Sequence, residues 1–177
     1  MELSNTSYTI LGLLAERPRS GYDIKQAADY SVRHFWAISY GQIYPELKRL
    51  TEAGLAEVED ASRGSRERHV YRLTGAGSEA LAAWVGSLVP APIELRDEML
   101  LKLFFSDSVG VPSRLVLLRA MRSRHEAMAA TLQNVEQHVK QEHRDFAMHY
   151  EVLQYGIGLH IWCAQWCAAL EAKLTGG

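Results

Sequence analysis

The residues of this chain best suited to chemistry are cations placed for contact with phosphate. Residues 63–72 carry Arg63, Arg66, Arg68 and Arg72 against Glu67, a local excess of three positive charges (four less one). Phosphate contact depends on such local clusters and not on overall pI, so the formal net charge of −2 is no obstacle. A second polar set lies just upstream: Ser39, Tyr40, Gln42, Tyr44, Lys48 and Arg49 fall within one short stretch of helical pattern. Hydroxyls, a carboxamide and two cations on one helix suit the edge of a DNA groove, which admits an α-helix.

The other chemistries are poorly supported. The chain has no phosphate-cradling glycine loop, no HExxH, no G-x-S-x-G and no carboxylate pair in acid/base spacing, so no catalytic residue is assigned. His160, Cys163 and Cys167 recur at i, i+3 and i+7 and could face one soft metal ion or sense oxidation. No fourth ligand is placed, however, and cysteine is an ordinary small hydrophobe at helix interfaces. Packing is the preferred reading, and neither metal nor cofactor is expected. His125 and His160 interrupt apolar seams; for each, a hydrogen-bonded interface histidine is favoured over a pH or ligand switch.

These residues must be positioned by helices and a small sheet. Residues 4–16 pattern as a helix, with Ser4 or Asn5 as cap and Ile10, Leu13 and Leu14 on its inner face. Pro18 ends it. Ser20 can cap a second helix over about 21–33, with Ile24, Ala27 and Ala28 inward, and an apolar connection through His34, Phe35, Trp36 and Ile38 follows. The next helix opens with Ser39 and Gln42 in capping-box spacing, buries Ile43, Leu47 and Leu50, and closes at Gly54 in a left-handed cap position. Pro45 removes a donor and crowds the carbonyl of Gly41, so an irregular first turn is expected there. Residues 55–59 and 69–73 alternate with period two around a polar, glycine-containing tip, and Thr74 can cap a helix over 75–88. Helices followed by a strand pair with a basic tip make a winged helix-turn-helix with a two-stranded wing.

The stretches Ile10-Leu11-Gly12-Leu13-Leu14, Ser20-Gly21-Tyr22-Asp23-Ile24, Ile43-Tyr44-Pro45-Glu46-Leu47-Lys48-Arg49-Leu50 and Tyr71-Arg72-Leu73-Thr74, in this order and spacing, resemble the PadR family of transcriptional regulators. The resemblance covers residues 5–90. It implies a homodimeric winged-helix protein that binds double-stranded DNA, usually as a repressor, and it implies that Pro45 lies within the helix. Carried onto this chain, the family's groove helix corresponds to residues 39–50. Its entry is formed by Ser39, Tyr40 and Gln42, with Lys48 and Arg49 further along. The wing tip corresponds to residues 61–68, with Arg66 and Arg68 tracking phosphates. Gly75 and Gly86 depart from the family's pattern without touching the groove face.

Beyond Pro90-Ala91-Pro92, a rigid break, the pattern is wholly helical. Residues 94–105 place Met99, Leu100, Leu103 and Phe104 inward, with Glu98 and Lys102 paired at i, i+4. A helix over 113–143 keeps a heptad seam through Leu118, Met121, His125, Met128, Leu132, Val135 and Val139. The last helix, about 145–173, has two adjacent seams. One runs Leu153, Gly156, His160, Cys163, Cys167, Leu170 and Leu174; the other runs Val152, Tyr155, Leu159, Trp162, Trp166 and Ala169. That face is too wide for one partner helix, so a second subunit is expected to share it. Length and architecture resemble the long-tailed branch of the family, whose helical C-terminal domain dimerises and which includes virulence activators. Large aromatics at helical spacing are first of all core. The family's response to phenolic compounds nevertheless implies that Trp84, Tyr155, Trp162 and Trp166 could line a pocket for an aromatic effector.

The expectation is therefore a mainly α protein with a winged-helix DNA-binding domain over 1–89 and a helical, coiled-coil-like dimerisation and effector domain over 90–177. It should act as a sequence-specific DNA-binding regulator, a repressor and a homodimer. The competing class is a winged-helix module that binds protein instead of DNA, which would not require the basic tip. No apolar run spans a bilayer and the first residues lack a signal-peptide pattern, so a soluble cytoplasmic protein is expected.

Overall fold

The computed structural model describes residues 2–59, 69–87, 95–142 and 147–176. Two compact units divide at Ala91 and Pro92.

In the N-terminal unit, helix α1 (Asn5–Glu16) is capped by Ser4, whose hydroxyl accepts from the Ser7 amide at 3.1 Å. Strand β1 (Arg19–Ser20) leads into α2 (Gly21–Tyr30), capped in turn by Ser20 with Asp23. A 3-10 turn over Val32–His34 replaces the last turn expected of that helix. Helix α3 (Tyr40–Glu52) is followed by β2 (Ala56–Glu59), β3 (Val70–Leu73) and α4 (Gly75–Val85). The sheet order is β1-β3-β2, antiparallel throughout, with Glu59 opposite Val70 at the root of the wing. The third strand was not expected. It is two residues long, and its pairing with β3 defines it, not any pattern of its own.

One apolar core joins these elements. Ile10, Leu11 and Leu14 of α1, Ile24 and Ala28 of α2, and Ile43, Leu47 and Leu50 of α3 are buried together with Ile38 and Ala56. Each fully buried aliphatic side chain here contributes about 1.5–3 kcal/mol. The connection before α3 is less apolar in practice than in pattern: Ile38 is buried, whereas Phe35 and Trp36 are exposed. Trp84 of α4 stacks on Tyr8 of α1, with ring centroids 4.5 Å apart.

Arg19 is a buried cation, 7% exposed, that the sequence alone would place on the surface. Its Nε donates to the Leu13 carbonyl at 2.9 Å and its guanidinium pairs with Glu16, so it fastens the sheet edge to the end of α1.

The C-terminal unit holds α5 (Glu98–Phe104), a 3-10 turn over Ser106–Ser108, α6 (Val111–Glu142) and α7 (Ala147–Thr175). Asp97 caps α5 through the amides of Met99 and Leu100, and its other oxygen takes the Arg124 guanidinium of α6. Glu98 and Lys102 pair at 2.7 Å as their spacing requires. The short helix buries only one side: Met99 and Leu103 are partly buried, but Leu100 is exposed and Phe104 is 78% exposed. These last two therefore do not face inward as their spacing suggests.

Helices α6 and α7 form an antiparallel hairpin, and Leu118, Met121 and Leu132 of α6 are buried in its seam. Polar links recur along the hairpin. Tyr150 and Gln154 donate to Glu136, each at 2.9 Å, and Arg119 and Arg122 reach Glu171 at 3.4 and 3.3 Å. Gly156 permits close approach, since a Cβ there would lie 3.1 Å from Leu132 Cδ1. Among the described residues no helix is long and apolar enough to cross a membrane.

Candidate nucleic-acid interface

Helix α3 is held at both ends by its own sequence. At the start, Gln42 folds back so that its Oε1 accepts from the Ser39 amide at 2.9 Å and the Ser39 hydroxyl at 3.0 Å. At the end, Gly54 adopts φ +71°, the Leu55 amide donates to the Leu50 carbonyl at 2.9 Å and the Gly54 amide to Thr51 at 3.0 Å. That is the bond pair of a Schellman cap, which only glycine enters without strain. Between these ends the helix runs unbroken through Pro45. No interruption forms, because Gly41 and Pro45 both lie on the exposed side and water can serve the carbonyl that loses its donor.

The outward face that results carries Tyr40, Gly41, Tyr44, Pro45 and Lys48, all exposed, opposite the buried Ile43, Leu47 and Leu50. Each member has a local support. The Tyr40 ring carries the Lys25 ammonium 5.6 Å from its centroid, while Lys25 also pairs with Asp29. The Tyr44 ring rests over Gly21, where a Cβ would come within 2.7 Å of the ring, so the absent side chain lets the start of α2 approach. Burial, together with the nearby Tyr44, pushes the Tyr71 phenol above its ordinary range. Lys48 is loosely tethered to Glu52 at 3.8 Å and is the most outward cation of the helix.

The remaining candidates are placed differently. Ser39 and Gln42 satisfy one another in the cap. Arg49 turns away from the outward face: its Nη2 donates to the Glu2 carbonyl at 3.1 Å and lies 3.4 Å from Glu46. Arg72 pairs with Glu57, its register partner across the wing. Arg63, Arg66 and Arg68 at the wing tip lie outside the described residues. Spacing revealed the face itself; it gave no sign of Lys25 beneath Tyr40 or Gly21 beneath Tyr44, because both contacts come from another helix.

In the C-terminal unit the two seams of α7 separate cleanly. Cys167 is fully buried, and Gly156, His160 and Cys163 are partly buried toward α6. Val152, Tyr155, Leu159, Trp162 and Trp166 are exposed, and the Trp162 and Trp166 rings lie 6.5 Å apart in near-parallel planes. Burial pushes both thiols above their ordinary range, Cys167 further assisted by Cys163 and Glu171. Protonated thiols are weak nucleophiles and ligands, which suits the packing role. Among the described residues no three His, Cys, Asp or Glu side chains gather as metal ligands.

His125 Nδ1 and His160 Nδ1 meet across the hairpin at 2.8 Å. One nitrogen must donate and the other accept, so a second added proton would break the contact. Burial, helped by Arg124 and opposed by Asp97, holds His125 below the usual histidine range. The folded hairpin therefore binds fewer protons than the unfolded chain once pH falls below about 6.5. Its contribution is complete above that pH and declines as pH falls through the depressed folded value. Denaturant unfolding at pH 7.5 and 5.5 should show this loss, and His125→Gln should diminish it.

Comparison with known proteins places these features in a family. Residues 10–83 match the transcriptional regulator PadR-like family, and residues 95–175 match the virulence activator alpha C-terminal family. The negative transcriptional regulator PadR of Bacillus subtilis (strain 168) is 33% identical over 127 residues, spanning 71% of this chain and 70% of that protein. The crystal structure of Bacillus subtilis PadR with operator DNA superposes with a TM-score of 0.87 at 29% identity, covering 95% of this chain and 98% of that one. The same protein with p-coumaric acid gives 0.83 at 26% identity, covering 98% and 99%. The Vibrio cholerae virulence activator AphA shares the fold, with a TM-score of 0.72 at 24% identity over 97% and 99%. With a capped helix presenting its polar side beside a β-hairpin wing, and a helical C-terminal unit behind the same sequence signature, the chain belongs to the PadR-like family of transcriptional regulators.

Proposed function

We propose that this regulator is a homodimeric repressor that inserts α3 of each protomer into the DNA major groove. The observation that supports this reading best is the outward face of α3, where tyrosines and a lysine surround the small residues Gly41 and Pro45 and the apolar stripe is wholly buried. A relative 29% identical to this chain was solved on its operator. Ser39 and Tyr40 at the helix entry, Tyr44 and Lys48 along it, and Arg66 and Arg68 of the wing then divide the work. The helix reads base edges, with its Lys48 on a phosphate beside the groove, and the wing tracks phosphates. Two such helices reach successive major grooves, so half-sites should be centred about 10 base pairs, or a multiple, apart. The winged helix and helical tail fall in the ranges 1–89 and 90–177.

An aromatic effector fits the same reading, since Bacillus subtilis PadR was solved with p-coumaric acid. Trp84, Tyr155, Trp162 and Trp166 are its proposed reporters, and it would act by favouring a dimer geometry with lower operator affinity. The test is binding to DNA from upstream of the chain's own gene, across salt concentrations and with and without p-coumaric acid. Parental protein should favour one palindrome. Arg66→Ala with Arg68→Ala should lower the slope of log K against log salt by about four, two contacts from each protomer of the dimer. Absence of binding, or indifference to these substitutions, sinks the reading.

A further inference from the structure

Glu46 is the least exposed charged residue on α3, its side chain only 12% accessible, and it is bordered by hydroxyls from another helix. The Ser4 hydroxyl donates to Glu46 Oε1 at 3.1 Å, and the Ser7 hydroxyl donates to the same oxygen. Ser7 is wholly buried, and both serines belong to the capping box that starts α1. On the other flank the Arg49 guanidinium lies 3.4 Å from that oxygen and continues to the Glu2 carbonyl at 3.1 Å. Arg49 Nε is buried without a hydrogen-bond partner, so that part of the side chain is packed down although the side chain as a whole is 41% accessible.

We infer that Arg49 and Glu46 are positioning residues: with Ser4, Ser7 and the Glu2 carbonyl they strap α3 to the first residues of α1 and set its rotation, and Arg49 does not touch DNA. The inference rests on the proposed groove role of α3. At 100° per residue Arg49 stands about 100° around the helix from Lys48, so the rotation that aims Lys48 at the groove carries Arg49 to the side. Swinging it out to a phosphate would also leave Glu46 half-buried beside two hydroxyls with its cation gone, which is costly. The strap leaves α3 from its middle and second half and crosses to a different helix, so it resists twisting of α3 about its own axis. It adds to the buried stripe of Ile43, Leu47 and Leu50, which favours the same rotation.

The test compares the parental chain with Arg49→Ala, Lys48→Ala, Glu46→Ala and Glu46→Gln. The probes are the chain's own upstream DNA and a scrambled duplex of equal length, each across a salt series. Lys48→Ala should lower the salt slope by about two on both duplexes, one contact from each protomer. Arg49→Ala should leave the slope unchanged while the preference for the upstream DNA falls about three- to tenfold. Glu46→Ala should do the same, and Glu46→Gln, which still accepts from both serines, should restore most of the preference. A slope lowered by about two in Arg49→Ala, with both duplexes weakened equally, makes Arg49 a phosphate contact and overturns the inference. If Arg49→Ala does not fold, Arg49→Gln, which also removes the charge but keeps more of the stem, takes its place with the same two outcomes. If the parental chain binds neither duplex, the DNA-binding reading itself fails. The strap is then decided by a thermal double-mutant cycle of Glu46→Gln with Arg49→Lys: coupled effects support it and additive effects overturn it.

Discussion

Gly77→Ala should destabilise the N-terminal unit by a large fraction of its stability. A Cβ built at Gly77 would lie 2.0 Å from the Leu55 carbonyl oxygen and 2.8 Å from Leu73 Cδ1. The first of these is backbone, so no side-chain rotation relieves it. The same carbonyl also accepts the Thr74 amide at 3.2 Å, while the Thr74 hydroxyl caps Gly77 at 3.1 Å and donates to the Gly54 carbonyl at 2.7 Å. The methyl group would thus force apart the end of α3, the start of the wing and the cap of α4 together. Overpacking a rigid site costs about 1–3 kcal/mol, and a clash with backbone belongs at or beyond the upper end. Against a total stability of about 5–15 kcal/mol, that is a large fraction. The melting temperature of this unit should drop by on the order of 10 °C or more. Gly12→Ala is the control: nothing lies within 4 Å of its Cβ, and an exchange in mid-helix should stabilise by about 0.5–1 kcal/mol. Equal melting curves for the two variants would refute the clash.

That pair of glycines also shows where reading a sequence stops. Both sit in helical patterns, and nothing local distinguishes the one that tolerates a methyl group from the one that does not. Local signals were legible wherever the physics is local. The Ser4, Ser20 and Thr74 caps, the left-handed Gly54 and the stripe of Ile43, Leu47 and Leu50 all follow from spacing and residue type. The split of α7 into a covered and an open seam was legible for the same reason, since a helix wheel separates the two rows.

Contacts made between elements were hidden. Strand β1 exists only through its register with β3, and Arg19 is buried only because the Leu13 carbonyl and Glu16 receive it. Arg49 shows this best at the candidate site. By type and position it reads as a groove cation, and the structure turns it toward Glu46 and Glu2 because Ser4 and Ser7, far away in sequence, hold the carboxylate there. Short helices mislead as well: α5 packs one flank only, so Leu100, Leu101 and Phe104, three of its five apolar residues, stay exposed.

Tyr155→Glu combined with Trp162→Glu should convert the proposed dimer to monomer and weaken its hold on a palindromic DNA site. Tyr155 is 72% exposed and Trp162 is 60% exposed, and Val152, Leu159 and Trp166 extend the same row. A contiguous apolar strip of this kind marks an interaction surface. In the proposed dimer, a second copy's matching row covers it, and a two-fold arrangement lets one strip serve both partners. Two glutamates would introduce like charges face to face in a desolvated seam, which neither copy can neutralise. The hairpin should survive, because the seam that packs α7 on α6 is the other row. Met121→Ala, in that covered row, should instead cost the hairpin about 2–5 kcal/mol and leave the open strip intact. Loss of dimerisation separates the two wings, and the second half-site no longer binds at high effective concentration. Affinity for a palindromic site should therefore fall by about 10²- to 10⁴-fold, with binding to a single half-site little changed. Light scattering and DNA titration on the same samples check both halves of the expectation. A parental chain of monomer mass, or a double glutamate variant that remains a dimer, would show that α7 uses this strip for something else.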